Sequence, residues 1–212
     1  MRILAHLPGG HPVSSSALSV PLRQRRPLVL ADLIPGARVR DVLLVLGGAA
    51  FTGLMAQIAI PVAGSPVPVT GQTFAALTVG AALGWQRGAA ALAVYMLAGM
   101  AGMPWYADGG SGFNFPSFGY VIGFVFAAAL VGALASRGAD RKPLPTIGLM
   151  VLGNAVVYAF GLAYLMFDLN IGLSDAWDIG MKTYLLGDAF KILLAAGCLP
   201  LIWRGVDALH KR

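Results

Sequence analysis

From Asp41 to Trp203 one apolar stretch follows another, each ended by a short connection, and this pattern excludes most soluble folds. About 20 apolar residues of helix are needed to cross a bilayer core of ~30 Å. Six stretches compete for that role: residues 42–60, stopped by Pro61, then 72–83, 88–102, 118–135, 145–167 and 183–203. The second and third are short and joined by the turn "GWQRG", so extension, tilt or shielding by protein must complete their crossing. Composition agrees, since only 11% of residues are charged, against roughly 25% in a soluble domain. The predicted fold is an all-α integral membrane protein, with six transmembrane helices in residues 41–212.

Residues 1–40 read differently. The run "HPVSSSALSVPLRQRRP" is rich in Pro, Ser and Arg and lacks periodicity, which predicts a mobile cytoplasmic arm. Its apolar pieces are too short for a signal peptide, and a start codon placed too far upstream would account for it equally. Lys and Arg in short loops favour the cytoplasm. They gather before the first span (Arg38, Arg40), at Arg87, at Arg137, Arg141 and Lys142, and after the last span, on alternate connections. Both termini are therefore expected inside, in a multi-pass membrane protein.

The net charge of +6 comes from groups scattered between apolar spans, not from one basic stripe, which argues against nucleic acid. A single cysteine, Cys198, and three histidines outside every span offer no metal cluster and no intrachain disulfide. Neither a metal nor a cofactor is expected.

The loops predicted outside are unusual. The first, "PVAGSPVPVTGQT", is uncharged, and Pro61, Pro66 and Pro68 favour extended backbone. The second, "GMPWYADGGSGFNFPSFGY", combines Gly109, Gly110 and Gly112 with Trp105, Tyr106 and Phe113. Glycines permit close backbone approach to a ligand and aromatics supply flat walls. The plainer alternative is an aromatic belt at the lipid headgroups on a flexible linker.

In "YLLGDAFKILLAAG", Asp188 and Lys191 lie three residues apart inside the sixth span, on a face shared with Tyr184 and Gly187. A lone charge at the centre of a membrane helix costs ~2.5 to 3.5 kcal/mol, so pairing is expected. Three readings compete: an ion pair that locks helices, a proton or ion relay, and a substrate clamp. A relay would call for further carboxylates, and the other five spans contain none. A clamp of one acceptor and one donor suits a neutral ligand with N–H and C=O groups on one edge, such as a urea. Asn154 and Tyr158, four apart on the fifth span, are placed to add polar contacts or to hydrogen-bond between helices.

These residues resemble a family. "QIAIPVAGSPVPVTGQTFAALTVGAALGWQRGAAALAVYMLAGMAGMPWYADGGSG", then "PSFGYVIGF" and "GDAFK", are similar to the BioY family, the biotin-specific S component of energy-coupling factor transporters. The resemblance implies a six-helix protein that binds biotin between the outer loops and the last three helices. It also implies a transmembrane coupling subunit and ABC-type ATPase subunits as partners. The family's Gly-Asp-x-x-Lys motif falls on Gly187, Asp188 and Lys191, its Pro-x-Pro-x-Thr-x-Gln element on Pro66, Pro68, Thr70 and Gln72, and its glycine element on Gly109, Gly110, Ser111 and Gly112. A small-xxx-small face for docking the coupling subunit falls on Ala49 and Gly53, with Gly where the family usually has Ala.

No Walker motif occurs, so an ATP-driven step must come from partners. The expected function is capture of biotin in an outward-facing pocket and delivery inward, with no catalytic residue. An S component for another vitamin and a membrane-embedded enzyme are the alternatives.

Overall fold

The computed structural model describes residues 29–34 and 38–209; most of the expected arm, residues 1–28, and the last residues, 210–212, lie outside these. Among the described residues seven α-helices follow in chain order: α1 Arg38–Ala56, α2 Gln72–Leu83, α3 Trp85–Met100, α4 Phe118–Ala135, α5 Pro143–Leu169, α6 Leu173–Gly180 and α7 Leu185–Leu209. Between α1 and α2, the strands β1 Ala59–Ile60 and β2 Val69–Thr70 pair antiparallel, Ala59 opposite Thr70.

Local chemistry sets the boundaries. Gly84, at φ +84°, is the only residue between α2 and α3, a conformation open to glycine that turns the chain within one residue. Pro143 opens α5, where its missing N–H costs nothing, and Asn170 closes it in the left-handed conformation. Two expectations are corrected. The first helix ends at Ala56, ahead of Pro61, because residues 59–60 pair with residues 69–70. "GWQRG" is not a loop, since Trp85 to Gly88 already belong to α3.

Among the described residues, four helical stretches are long and apolar enough to cross a membrane: Arg38–Ala56, Phe118–Ala135, Pro143–Leu169 and Leu173–Leu209. The apolar helix Gln72–Leu83 is shorter. The helix α4 sits at the centre, against α2, α3 and α5. Small residues bring these helices close: a methyl on Gly80 would lie 2.6 Å from the carbonyl oxygen of Ala128, and one on Gly132 would lie 2.5 Å from the Gly84 carbonyl carbon. Such contact between backbones is how helices associate where no hydrophobic effect drives them.

The basic residues meet at one end of the bundle. Arg87 pairs with Asp32 at 2.6 Å and with Asp41 at 3.3 Å, and Asp41 also pairs with Arg40 at 2.7 Å. Val29 and Ala31 are buried in the core beside this network, so the packed body extends upstream of the boundary expected at Asp41.

Candidate functional site

At the other end, the β1–β2 loop, the α3–α4 loop and the start of α7 close around a cleft of about 610 Å³ of atom-free space, its mouth included. Aromatic and aliphatic side chains dominate the wall, among them Val67, Val69, Tyr106, Phe115, Tyr120 and Phe124. The polar groups converge from three helices: Gln72 on α2, Asn154 and Tyr158 on α5, Asp188 and Lys191 on α7.

Asp188 is the anchor. It is 6% exposed, and both its oxygens are engaged: Lys191 Nζ donates to Oδ1 at 3.0 Å and the Tyr158 hydroxyl donates a short bond to Oδ2. An isolated carboxylate in such a place would be costly, and an ammonium with a phenol offsets that cost. Both members of the pair line the cleft.

The loops are fastened by side chains that the sequence did not single out. Tyr184, one turn before Asp188, donates to the Val67 carbonyl oxygen and stands 2.6 Å from Ser65 Oγ. Ser65 in turn donates to the Ile179 carbonyl at 2.6 Å, tying the proline loop to α6. Tyr120 donates to the Gly180 carbonyl at 2.7 Å. Position on the Asp188 face was the available signal for Tyr184; for Tyr120, inside an apolar helix, there was none.

Other expected residues sit behind the wall. Trp105 does not line the cleft; its indole donates to the Tyr95 carbonyl at 2.9 Å, and its ring covers Gly53. Gly109, Gly110, Ser111 and Gly112 do not line it either. They shape the loop that holds Tyr106, whose N–H donates to the Gly110 carbonyl at 3.0 Å, while the Gly112 N–H reaches the Gly99 carbonyl at 2.8 Å. Gly187 is half-buried near Val69, outside the lining. Gln72 does line the cleft, and its Nε2 donates to the Tyr95 hydroxyl at 3.0 Å.

The two expected small residues of α1 lie inside the bundle. Ala49 is 1% exposed and Gly53 is buried, both turned toward the chain's own core. Gly53 admits Trp105, since a methyl there would lie 3.1 Å from the indole. The exposed face of α1 carries Leu43, Gly47, Ala50 and Leu54.

With this geometry in view, comparison with known proteins is decisive. The BioY family model matches residues 25–208. The chain belongs to the BioY family. A biotin transporter BioY of Rhizobium etli is 31% identical, over 62% of this chain and 75% of that protein. The biotin transporter BioY of Thermotoga maritima is 32% identical, over 69% of this chain and 87% of its own length. A crystal structure of the S component for biotin from an ECF-type ABC transporter superposes with a TM-score of 0.71, at 23% identity, covering 78% of this chain and 92% of that one. This BioY chain therefore shares the S-component fold.

Proposed function

We propose that this BioY chain is the substrate-binding membrane subunit of a biotin uptake system and does not transform what it carries. The observation that carries the reading is the paired Asp188 and Lys191, with Tyr158, lining the cleft. A ureido ring offers N–H donors to the carboxylate and a C=O acceptor to the ammonium, so both charges keep a partner when the ligand replaces their mutual contact. Tyr106, Phe115 and Phe124 supply apolar surface for the remainder of the molecule.

The six crossings would be α1, α2, α3, α4, α5 and the α6–α7 stretch, with α2 and α3 shielded by α4. The meeting of Arg40 and Arg87 at the end away from the cleft supports cytoplasmic termini and an outward-facing pocket in the bacterial plasma membrane. Delivery inward would require a transmembrane coupling subunit and ABC-type ATPase subunits. The relatives named as biotin transporters support biotin as the substrate.

The test is equilibrium binding of labelled biotin to the purified protein, with unlabelled biotin, thiamin and riboflavin as competitors. Competition by biotin alone is the expected result. Displacement by thiamin or riboflavin at lower concentration would reassign the substrate.

A further inference from the structure

Gln57 is the first residue past α1, and its side chain does not line the cleft. An amide at the exposed end of an apolar helix is ordinarily left to water. Here Nε2 donates instead to the carbonyl oxygens of Trp105 and Tyr106, at 3.2 Å each, and to the Gly53 carbonyl of α1 at 3.0 Å. An NH₂ group has two protons, so the three acceptors share them in a forked arrangement. With the amide reversed, Oε1 would stand against three carbonyl oxygens, so the donor end belongs there. Two successive carbonyls of one loop are thereby turned to a single point at the end of α1.

That loop needs an anchor. Residues 101–117 join α3 to α4 with only one short helical turn, Ala107–Gly109, and connections of such length move unless side chains fasten them. Tyr106 is the loop residue that meets both core and cleft, being 2% exposed and part of the cleft wall. Its ring end is seated on α3, where the hydroxyl donates to the Met96 carbonyl at 2.5 Å and a methyl on Gly99 would lie 2.1 Å from Cζ. With the hydroxyl so engaged, the ring offers the cleft apolar surface. At its backbone end, the Tyr106 N–H donates to the Gly110 carbonyl at 3.0 Å, a contact within the loop itself. Gln57 ties that end to a helix, and the Tyr95 hydroxyl adds a longer contact to the Trp105 carbonyl at 3.3 Å.

We infer that Gln57 is a positioning residue: from outside the cleft, it fixes the Trp105–Tyr106 backbone on the end of α1 and so holds the Tyr106 wall where a ligand meets it. This rests on the proposed biotin reading and adds that α1, which gives the cleft no lining side chain, helps to set its shape. What matters at position 57 is donor capacity, because the partners are carbonyl oxygens. An apolar side chain of equal length would free the loop, and a carboxylate would push it away.

The experiment measures equilibrium binding of labelled biotin to the full chain and its variants. Gln57→Met keeps the length and removes both donors; it should weaken biotin about threefold to tenfold, the order expected for loss of partly exposed hydrogen bonds. Gln57→Glu keeps the shape and replaces the donor by an acceptor, and it should lose at least as much. A double-mutant cycle then asks whether Gln57 acts through the wall. With Tyr106→Ala the wall is gone, so adding Gln57→Met should change affinity by less than about twofold. With Asp188→Asn the wall remains, and the full loss from Gln57→Met should persist. Biotin affinity within twofold of the unaltered protein in Gln57→Met would overturn the inference, as would an equal loss in the Tyr106→Ala background. Should Gln57→Met fail to fold, Gln57→Glu decides by the same criteria. Failure of biotin to bind the unaltered chain would instead refute the underlying functional reading.

Discussion

Two buried aspartates stand at opposite ends of the bundle, and they are used differently. Asp188 at the cleft end accepts from Lys191 and Tyr158 and faces open space. Asp140, in the connection between α4 and α5, is 0% exposed; its Oδ2 accepts from the Trp203 indole at 2.6 Å, and the Arg141 guanidinium lies 4.3 Å from the centre of that ring. One carboxylate lines a cleft, and the other is sealed by an aromatic from the far end of α7. Burial of a charged group alone therefore does not mark a site. What separates the two is the cavity beside Asp188, on which the proposed function rests.

Exchanging the carboxylates for amides should separate the two roles. Asp188→Asn is expected to weaken biotin binding about a hundredfold, the order of a lost charge-assisted contact, with Lys191 left unpaired. Asp140→Asn should leave affinity within about twofold. Equilibrium binding measures both, and equal effects would break the comparison. Next in size, Tyr158→Phe removes one donor to Asp188 and should cost roughly tenfold in affinity, with the protein still folded by circular dichroism.

On the sealed side, Trp203→Phe should lower thermal stability by about 1–3 kcal/mol without changing affinity, because it strips a buried carboxylate of its donor. Thermal unfolding in detergent reads this, and a loss of biotin binding would tie the two ends together. The smallest effect concerns pH. Burial pushes the Asp140 carboxyl above its ordinary value of 3.8, although the Trp203 hydrogen bond pulls it down. A carboxyl whose folded pKa is raised contributes stability that is full below the unfolded value and is lost as pH rises through the folded one. Melting temperature should therefore fall as pH climbs from about 4 through that raised value. Asp140→Asn should flatten that part of the profile.

Much of the helical skeleton was legible because an apolar run bounded by Gly, Pro or charge has few outcomes in a membrane. The helices α2 and α4 begin and end where the sequence places them, and α5 differs only at its ends. The first span was misjudged at its end because a two-residue strand pair depends on a partner elsewhere in the chain, at Val69–Thr70. The proline there was a sufficient stop signal but not the operative one. Small residues admit any close neighbour, and beside Gly53 that neighbour is Trp105, which the spacing of Ala49 and Gly53 alone does not indicate.

By itself, the sequence determined the solvent and the anchor. Long stretches without charge demand lipid, and Asp188 with Lys191 at helical spacing demand each other, because both requirements are local. Only the tertiary structure decided which side chains share the cleft with that pair. Tyr120 and Tyr184 as fasteners and Trp105 behind the wall follow from the rotation and proximity of the helices. Those relations are set by the packing of small residues between helices, which no single segment specifies.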